Sequence, residues 1–171
     1  LVGSLCALYM IRRGYNVTIF ERRKDLRSEI ITAGKSINLA LSKRGWTALK
    51  KVGIDKEVKK IAIPMYKRIM HDKEGNLSEQ PYGNDGEAIY SVSRAQLNVL
   101  MMEMADKNGA KLYFNEKCVD ANLEDAIATF ENTNTGKEQV VSADLLIGAD
   151  GTFSAIREQM IKNHQHEYSY S

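Results

Sequence analysis

The sequence predicts an α/β fold in which a parallel sheet with covering helices carries an antiparallel β insertion. Three observations predict it. A helical periodicity over residues 3–13 passes directly into the β-rich run Asn16-Val17-Thr18-Ile19-Phe20-Glu21. Residues 111–142 break into short strands separated by turn residues. Leu145-Leu146-Ile147-Gly148 is a near-continuous apolar run, the form taken by a strand covered on both faces of a parallel sheet.

Each element follows from local chemistry. Leu5, Leu8, Tyr9 and Ile11 recur at helical spacing, and Gly14 stands where a helix ends on glycine. Residues 22–35 are polar and read as a long loop. A helix is expected over Leu41 to Gly53 with Ser42 as its N-cap, then a short helix from Asp55 to Lys60. Pro64 to Asp72 reads as a strand, Asp72 to Asn76 as a turn, and Leu77 to Pro81 as the returning strand. The strand Ala88 to Val92 leads into Ser93-Arg94-Ala95-Gln96, a capping box that opens a helix to about Lys107. The stripe of Leu97, Leu100, Met101, Met104 and Ala105 on that helix reads as core filling. Further strands are expected at Lys111 to Phe114 and Val119 to Leu123. A hairpin from Ala126 to Glu131 and Glu138 to Val141 should turn at Asn132 to Gly136. Asp150-Gly151 then turns the chain into a last helix, Phe153 to Lys162.

Composition excludes several functions. The chain has 171 residues, 43% apolar and 27% charged, which suits one globular domain. A net charge of +2, with Lys and Arg scattered, gives no basic face for nucleic acid. The cluster Arg22-Arg23-Lys24 reads as a solvated loop. No apolar stretch reaches the roughly 20 residues that span a bilayer. Cys6 and Cys118 have no partner at metal-ligand spacing and read as two buried, reduced thiols, which with no visible signal peptide suits a cytoplasmic protein. His71, His164 and His166 have no acid or nucleophile at informative spacing and read as solvated. The abrupt start at Leu1-Val2-Gly3 and the polar tail His164 to Ser171 are those of a piece of a longer protein, cut at both ends.

Three motifs carry chemistry. Gly3 and Glu21 match the third glycine and the strand-end acid of a dinucleotide fingerprint, whose first two glycines would precede residue 1. There the glycine permits close helix–strand packing beside the pyrophosphate, and the acid accepts ribose hydroxyls. The second motif is Gly148-Ala149-Asp150-Gly151-Thr152-Phe153-Ser154-Ala155-Ile156-Arg157. Its aspartate can cap a helix and face a ribose, while Gly151 removes the side chain that would block the approach. The third is Gly34-Lys35-Ser36-Ile37-Asn38-Leu39-Ala40-Leu41-Ser42-Lys43-Arg44-Gly45, which composition does not explain.

The second motif resembles the Gly-Ala-Asp-Gly-x-x-Ser-x-x-Arg segment of the class A flavoprotein monooxygenases. The third resembles a Gly-Arg-Ser-Ile-Asn-Leu-Ala-Leu-Ser-x-Arg-Gly segment of the kynurenine 3-monooxygenase family, with Lys35 where an Arg is common. Leu1 to Leu5 and Tyr90 to Asn98 are similar to the same family, and the likeness runs to about residue 162. The tail departs from it: Glu167 to Ser171 only partly match the family's Phe-x-Tyr-Ser-Gln.

The resemblance implies a Rossmann-like FAD-binding domain over residues 1–171, with residues 62–92 contributing strands toward a substrate-binding sheet. It implies an oxidoreductase that uses FAD, NADPH and O2 to hydroxylate L-kynurenine to 3-hydroxykynurenine. Gly3, Glu21, Arg22, Arg94, Asp150 and Gly151 would hold the cofactor. Arg68 and Tyr82 would grip the substrate carboxylate, a bidentate guanidinium aided by a phenol donor. The hydroxylating chemistry would belong to the flavin, so no catalytic side chain and no metal are expected. The family's second FAD motif lies beyond residue 171, so the piece alone should turn over nothing. Two other readings remain open: an FAD-dependent hydroxylase or oxidoreductase of another aromatic or lipid substrate, and an inert dinucleotide-binding module.

Overall fold

The computed structural model describes residues 1–28 and 37–163. Helix α1 (Val2–Ile11) feeds strand β1 (Thr18–Glu21) through Gly14, whose φ of +86° ends the helix without strain. The expected loop that follows holds a 3-10 turn at Leu26–Ser28, and the rest of it, with Gly34, Lys35 and Ser36, lies outside the described residues.

Strand β2 (Asn38–Leu41) precedes helix α2 (Lys43–Lys51), so Leu41 is the last strand residue rather than the first helical one. The reason is tertiary: Asn38–Leu41 pairs antiparallel with β6 (Ile89–Ser93), and that ladder outweighs the helical propensity of Leu and Ala. Ser42 stands at the N-cap of α2 but makes no side-chain capping bond. Helix α3 (Asp55–Ile61) follows as expected. The single strand expected over Pro64 to Asp72 is two: β3 (Ala62–Met65), which flanks β6, and β4 (Lys67–His71), which pairs with β5 (Leu77–Pro81). Tyr66 is the hinge between them, where the chain leaves one sheet for another.

Helix α4 (Arg94–Lys107) begins at Ser93, whose hydroxyl accepts the Gln96 N–H at 3.4 Å. Leu97, Met101 and Ala105 on α4 are buried with Leu8, Ile54, Val58 and Val92, which makes the Met stripe core. Each such fully buried Leu, Ile or Val contributes about 1.5–3 kcal/mol. Strand β7 (Lys111–Phe114) pairs parallel with β1, Glu21 opposite Phe114.

The antiparallel insertion is a meander of β8 (Glu116–Asn122), β9 (Ile127–Asn132) and β10 (Glu138–Ser142). It joins the parallel pair through Phe20 of β1, whose ring stacks on Phe130 of β9 at 4.0 Å and on Tyr113 of β7 at 5.2 Å. Helix α5 (Ala155–Asn163) packs on β8.

Residues 145–148 overturn one expectation. They form no strand, and Leu145 and Ile147 are 60% and 48% exposed. An apolar run announces a need for cover, but a strand requires a neighbouring ladder, and among the described residues none pairs with this segment. Cys6 and Cys118 are free thiols, half-buried rather than buried. Among the described residues no helix is long and apolar enough to cross a membrane.

Candidate cofactor-binding site

Gly3, one of the expected cofactor residues, lies in the first turn of α1. Among the described residues, α1 has no acid in its first turn and no side-chain capping bond at Leu1. That arrangement suits an anionic ligand such as a pyrophosphate. Gly3 lies against Ala149: a Cβ built on it would stand 3.4 Å from the Ala149 Cβ. Anything larger than a methyl would push the two segments apart.

Glu21 and Arg94 stand at the end of β1 and the start of α4. The Leu1 nitrogen bonds Asn98 Oδ1 at 3.0 Å, which sets the start of α1 beside α4, the helix that Arg94 opens. Glu21 is half-buried at the end of β1, with Oε1 accepting the Arg23 N–H at 3.0 Å, and no hydrogen bond to Oε2 is present among the described residues. Arg22 beside it is exposed. Arg94 is exposed at the first position of α4, and its N–H donates to the Ile37 carbonyl at 3.2 Å. A cation at a helix amino end opposes the dipole, so this placement is unfavourable unless an anion sits nearby.

Asp150 and Gly151 follow Ala149, the neighbour of Gly3, and lead into α5. Asp150 Oδ2 accepts the N–H of Ala155 at 2.7 Å and of Ile156 at 3.4 Å, and Ser154 Oγ accepts that of Arg157 at 2.9 Å. Gly151 has φ +82°, with nothing within 4 Å of a Cβ built on it. Arg157, read from sequence only as the motif's last residue, braces this turn. Its Nη1 donates to the Gly151 carbonyl at 3.3 Å and its Nη2 to the Thr152 carbonyl. No sequence signal separates that role from a solvated helix arginine. A cleft of about 300 Å³ opens beside the turn, lined by Phe153, Ser154, Arg157 and Ile161 among others.

Arg68 and Tyr82 sit apart from these residues, on the β4–β5 pair, in which every residue is exposed. Arg68 is opposite Gln80, and its Nε donates to Gln80 Oε1 at 2.8 Å while Nη2 reaches the same oxygen. The Tyr82 N–H donates to the Tyr66 carbonyl at 2.9 Å, extending the register by one pair. Tyr66, Arg68, Gln80 and Tyr82 consequently share one face, with Arg68 and Tyr82 as diagonal neighbours at roughly 7–8 Å. Among the described residues no cluster of His, Cys, Asp or Glu could hold a metal ion.

Residues 1–170 match the FAD binding domain family. The chain belongs to that family. This FAD binding domain is 45% identical over 170 residues to the kynurenine 3-monooxygenase of Flavobacterium psychrophilum, covering 99% of the chain and 37% of that protein. It is 41% identical over 169 residues to that of Christiangramia forsetii, covering 99% and 38%, and 41% identical over 175 residues to that of Drosophila melanogaster, covering 98% and 37%. The chain thus spans little more than a third of the curated relatives it matches.

Among solved structures it is similar to the flavin-dependent monooxygenase PieE in complex with FAD and substrate, at TM-score 0.76 and 20% identity over 92% of this chain and 30% of that one. It is also similar to p-nitrophenol 4-monooxygenase PnpA from Pseudomonas putida, at TM-score 0.74 and 17% identity over 93% and 40%. At those identities the likeness establishes the fold alone, a mixed α/β domain.

Proposed function

We propose that the protein of which this chain is part is an NADPH- and FAD-dependent monooxygenase that hydroxylates L-kynurenine to 3-hydroxykynurenine. The observation that carries this reading is identity of 39–45% across nearly the whole chain to proteins named kynurenine 3-monooxygenase.

In this reading the amino end of α1 takes the FAD pyrophosphate, with Gly3 allowing the close approach. Glu21 takes the adenosine ribose through its unused oxygen, with Arg22 beside it. Arg94 and the Asp150–Gly151 turn complete the cofactor contacts. When bound, the flavin, reduced by NADPH, supplies the oxygen-transfer chemistry with O2. The chain's own residues bind and orient. Arg68 and Tyr82, on one face of β4–β5, hold the amino-acid carboxylate, and residues 62–92 extend toward the substrate sheet. The half-buried free thiols suit a reducing compartment and support a cytoplasmic setting.

The test is Arg68→Ala in the full-length enzyme, assayed for kynurenine turnover and flavin content. The KM for kynurenine should rise far more than FAD occupancy falls. An unchanged KM would remove Arg68 from the substrate site. Turnover of a phenol panel in preference to kynurenine would replace the substrate while leaving the cofactor reading intact.

A further inference from the structure

Strand β7 ends at Phe114 and strand β8 begins at Glu116, so a single residue turns the chain from the parallel pair into the antiparallel meander. That residue is Asn115, with φ +61°. Left-handed backbone is unfavourable for most side chains, and Asn tolerates it better than others. The conformation lets both backbone groups of Asn115 bond outward. Its N–H donates to the Arg23 carbonyl at 3.0 Å, and its carbonyl accepts the Thr133 N–H at 2.7 Å.

Arg23 is thereby held from two sides, because its own N–H donates to Glu21 Oε1 at 3.0 Å. A continuous series of bonds runs from Thr133 through Asn115 and Arg23 to the Glu21 carboxylate. Its far end is stiff. Asn132, next to Thr133, accepts the N–H groups of Asn134 and Thr135 at 3.1 Å each, and donates to the buried Glu116 carboxylate at 2.7 Å. The β9–β10 turn is therefore a fixed anchor, and Asn115 carries that fixity to the exit of β1.

We propose that Asn115 is a positioning residue for the adenosine end of the FAD site, setting the orientation of the Glu21 carboxylate through the backbone of Arg23. The inference rests on the reading of Glu21 as the ribose ligand. A carboxylate that must meet a ribose diol benefits from a fixed rotamer. Among the described residues no cation pairs with Glu21, so its orientation comes from the Arg23 N–H. The meander thus does more than cover β1.

The experiment is FAD titration of the full-length apoprotein, followed by flavin fluorescence, for Asn115→Gly, Asn115→Val, Glu21→Gln and the Asn115→Val/Glu21→Gln double variant. Glycine takes φ above zero freely, so Asn115→Gly should bind FAD within about twofold of the parent. Asn115→Val should bind roughly tenfold more weakly, with kcat at saturating FAD unchanged. The double variant should be no weaker than the weaker single variant, because both changes remove the same oriented carboxylate. If the two effects multiply, or Asn115→Val leaves the Kd unchanged, the positioning role is wrong while the ribose reading stands. If Glu21→Gln leaves the Kd unchanged, the ribose reading fails and takes this inference with it. Should Asn115→Val not fold, Asn115→Ala, which carries milder strain, is judged by the same outcomes.

Discussion

The Asp150 carboxylate accepts the Ala155 N–H at 2.7 Å, closing the amino end of α5 from five residues upstream. Ser154, the adjacent hydroxyl, satisfies the Arg157 N–H, so two side chains share the free donors of one helix end. Asp150→Ala should therefore lower the stability of the full-length apoprotein by about 1 kcal/mol, the usual cost of a lost cap. Asp150→Asn should retain most of it, since an amide oxygen also accepts. Urea denaturation measures both. Equal losses would mean that the charge on the helix dipole matters and the acceptor does not.

The same carboxylate acts on a thiol. Burial pushes the Cys118 thiol above its ordinary pKa, and the negative charge of Asp150 pushes it further. Removing that charge stabilises the thiolate, the species that reacts. Asp150→Asn should then speed alkylation of Cys118 at pH 8, while Cys6 serves as the internal control. The increase should be only a few-fold, because burial is the larger cause and stays in place. An unchanged rate would detach Asp150 from Cys118.

Legibility in the sequence followed the range of the forces involved. Strands β5 and β7 and helix α4 were readable to within a residue, because turn residues, a capping box and periodicity act locally. Strand β2 was not. Its Asn38–Leu41 stretch acquires strand structure only from β6, about fifty positions away in the chain. Residues 145–148 erred the other way, since apolarity predicts burial and is silent about ladder partners. For the candidate site, Gly3, Glu21, Arg94 and the Asp150–Gly151 turn were singled out from motif and resemblance, and the fold sets Gly3 against Ala149, just before that turn. That Arg68 and Tyr82 share a face depends on a register fixed by the whole hairpin. The bracing by Arg157 and the left-handed turn at Asn115 leave no mark in composition or spacing.

Arg27 ties the exit of β1 to α4. It forms a bidentate pair with Asp25, bonds Asp106 Oδ2 at 2.6 Å, and lies 5.5 Å from the centre of the Phe114 ring. The bond from Arg27 holds the Asp25 carboxyl below the ordinary carboxylate range. The sign follows from linkage: a depressed folded-state pKa contributes stability that is complete above the unfolded value and is lost as pH falls through the folded one. The stability difference between the parent and Asp25→Asn should thus be constant near neutrality and shrink below about pH 4. Both groups are partly solvated, so the difference will be small, and thermal melts across pH 3–7 would record it. A difference that grew in acid would contradict the pairing.

Gly151 offers the cleanest measure of backbone strain in the candidate site. Its φ is +82°, and a Cβ there would meet nothing within 4 Å, so a substitution tests conformation without steric contact. Gly151→Ala should cost about 1 kcal/mol in apoprotein stability, and Gly151→Asn less, because Asn accepts left-handed backbone more readily. Arg157 donates to the Gly151 carbonyl at 3.3 Å, so part of that cost should pass through the brace. In Arg157→Ala the turn can relax, and the alanine at 151 should then be better tolerated, a non-additive pair in a double-mutant cycle. Strict additivity would show that the guanidinium rests on the turn without constraining it.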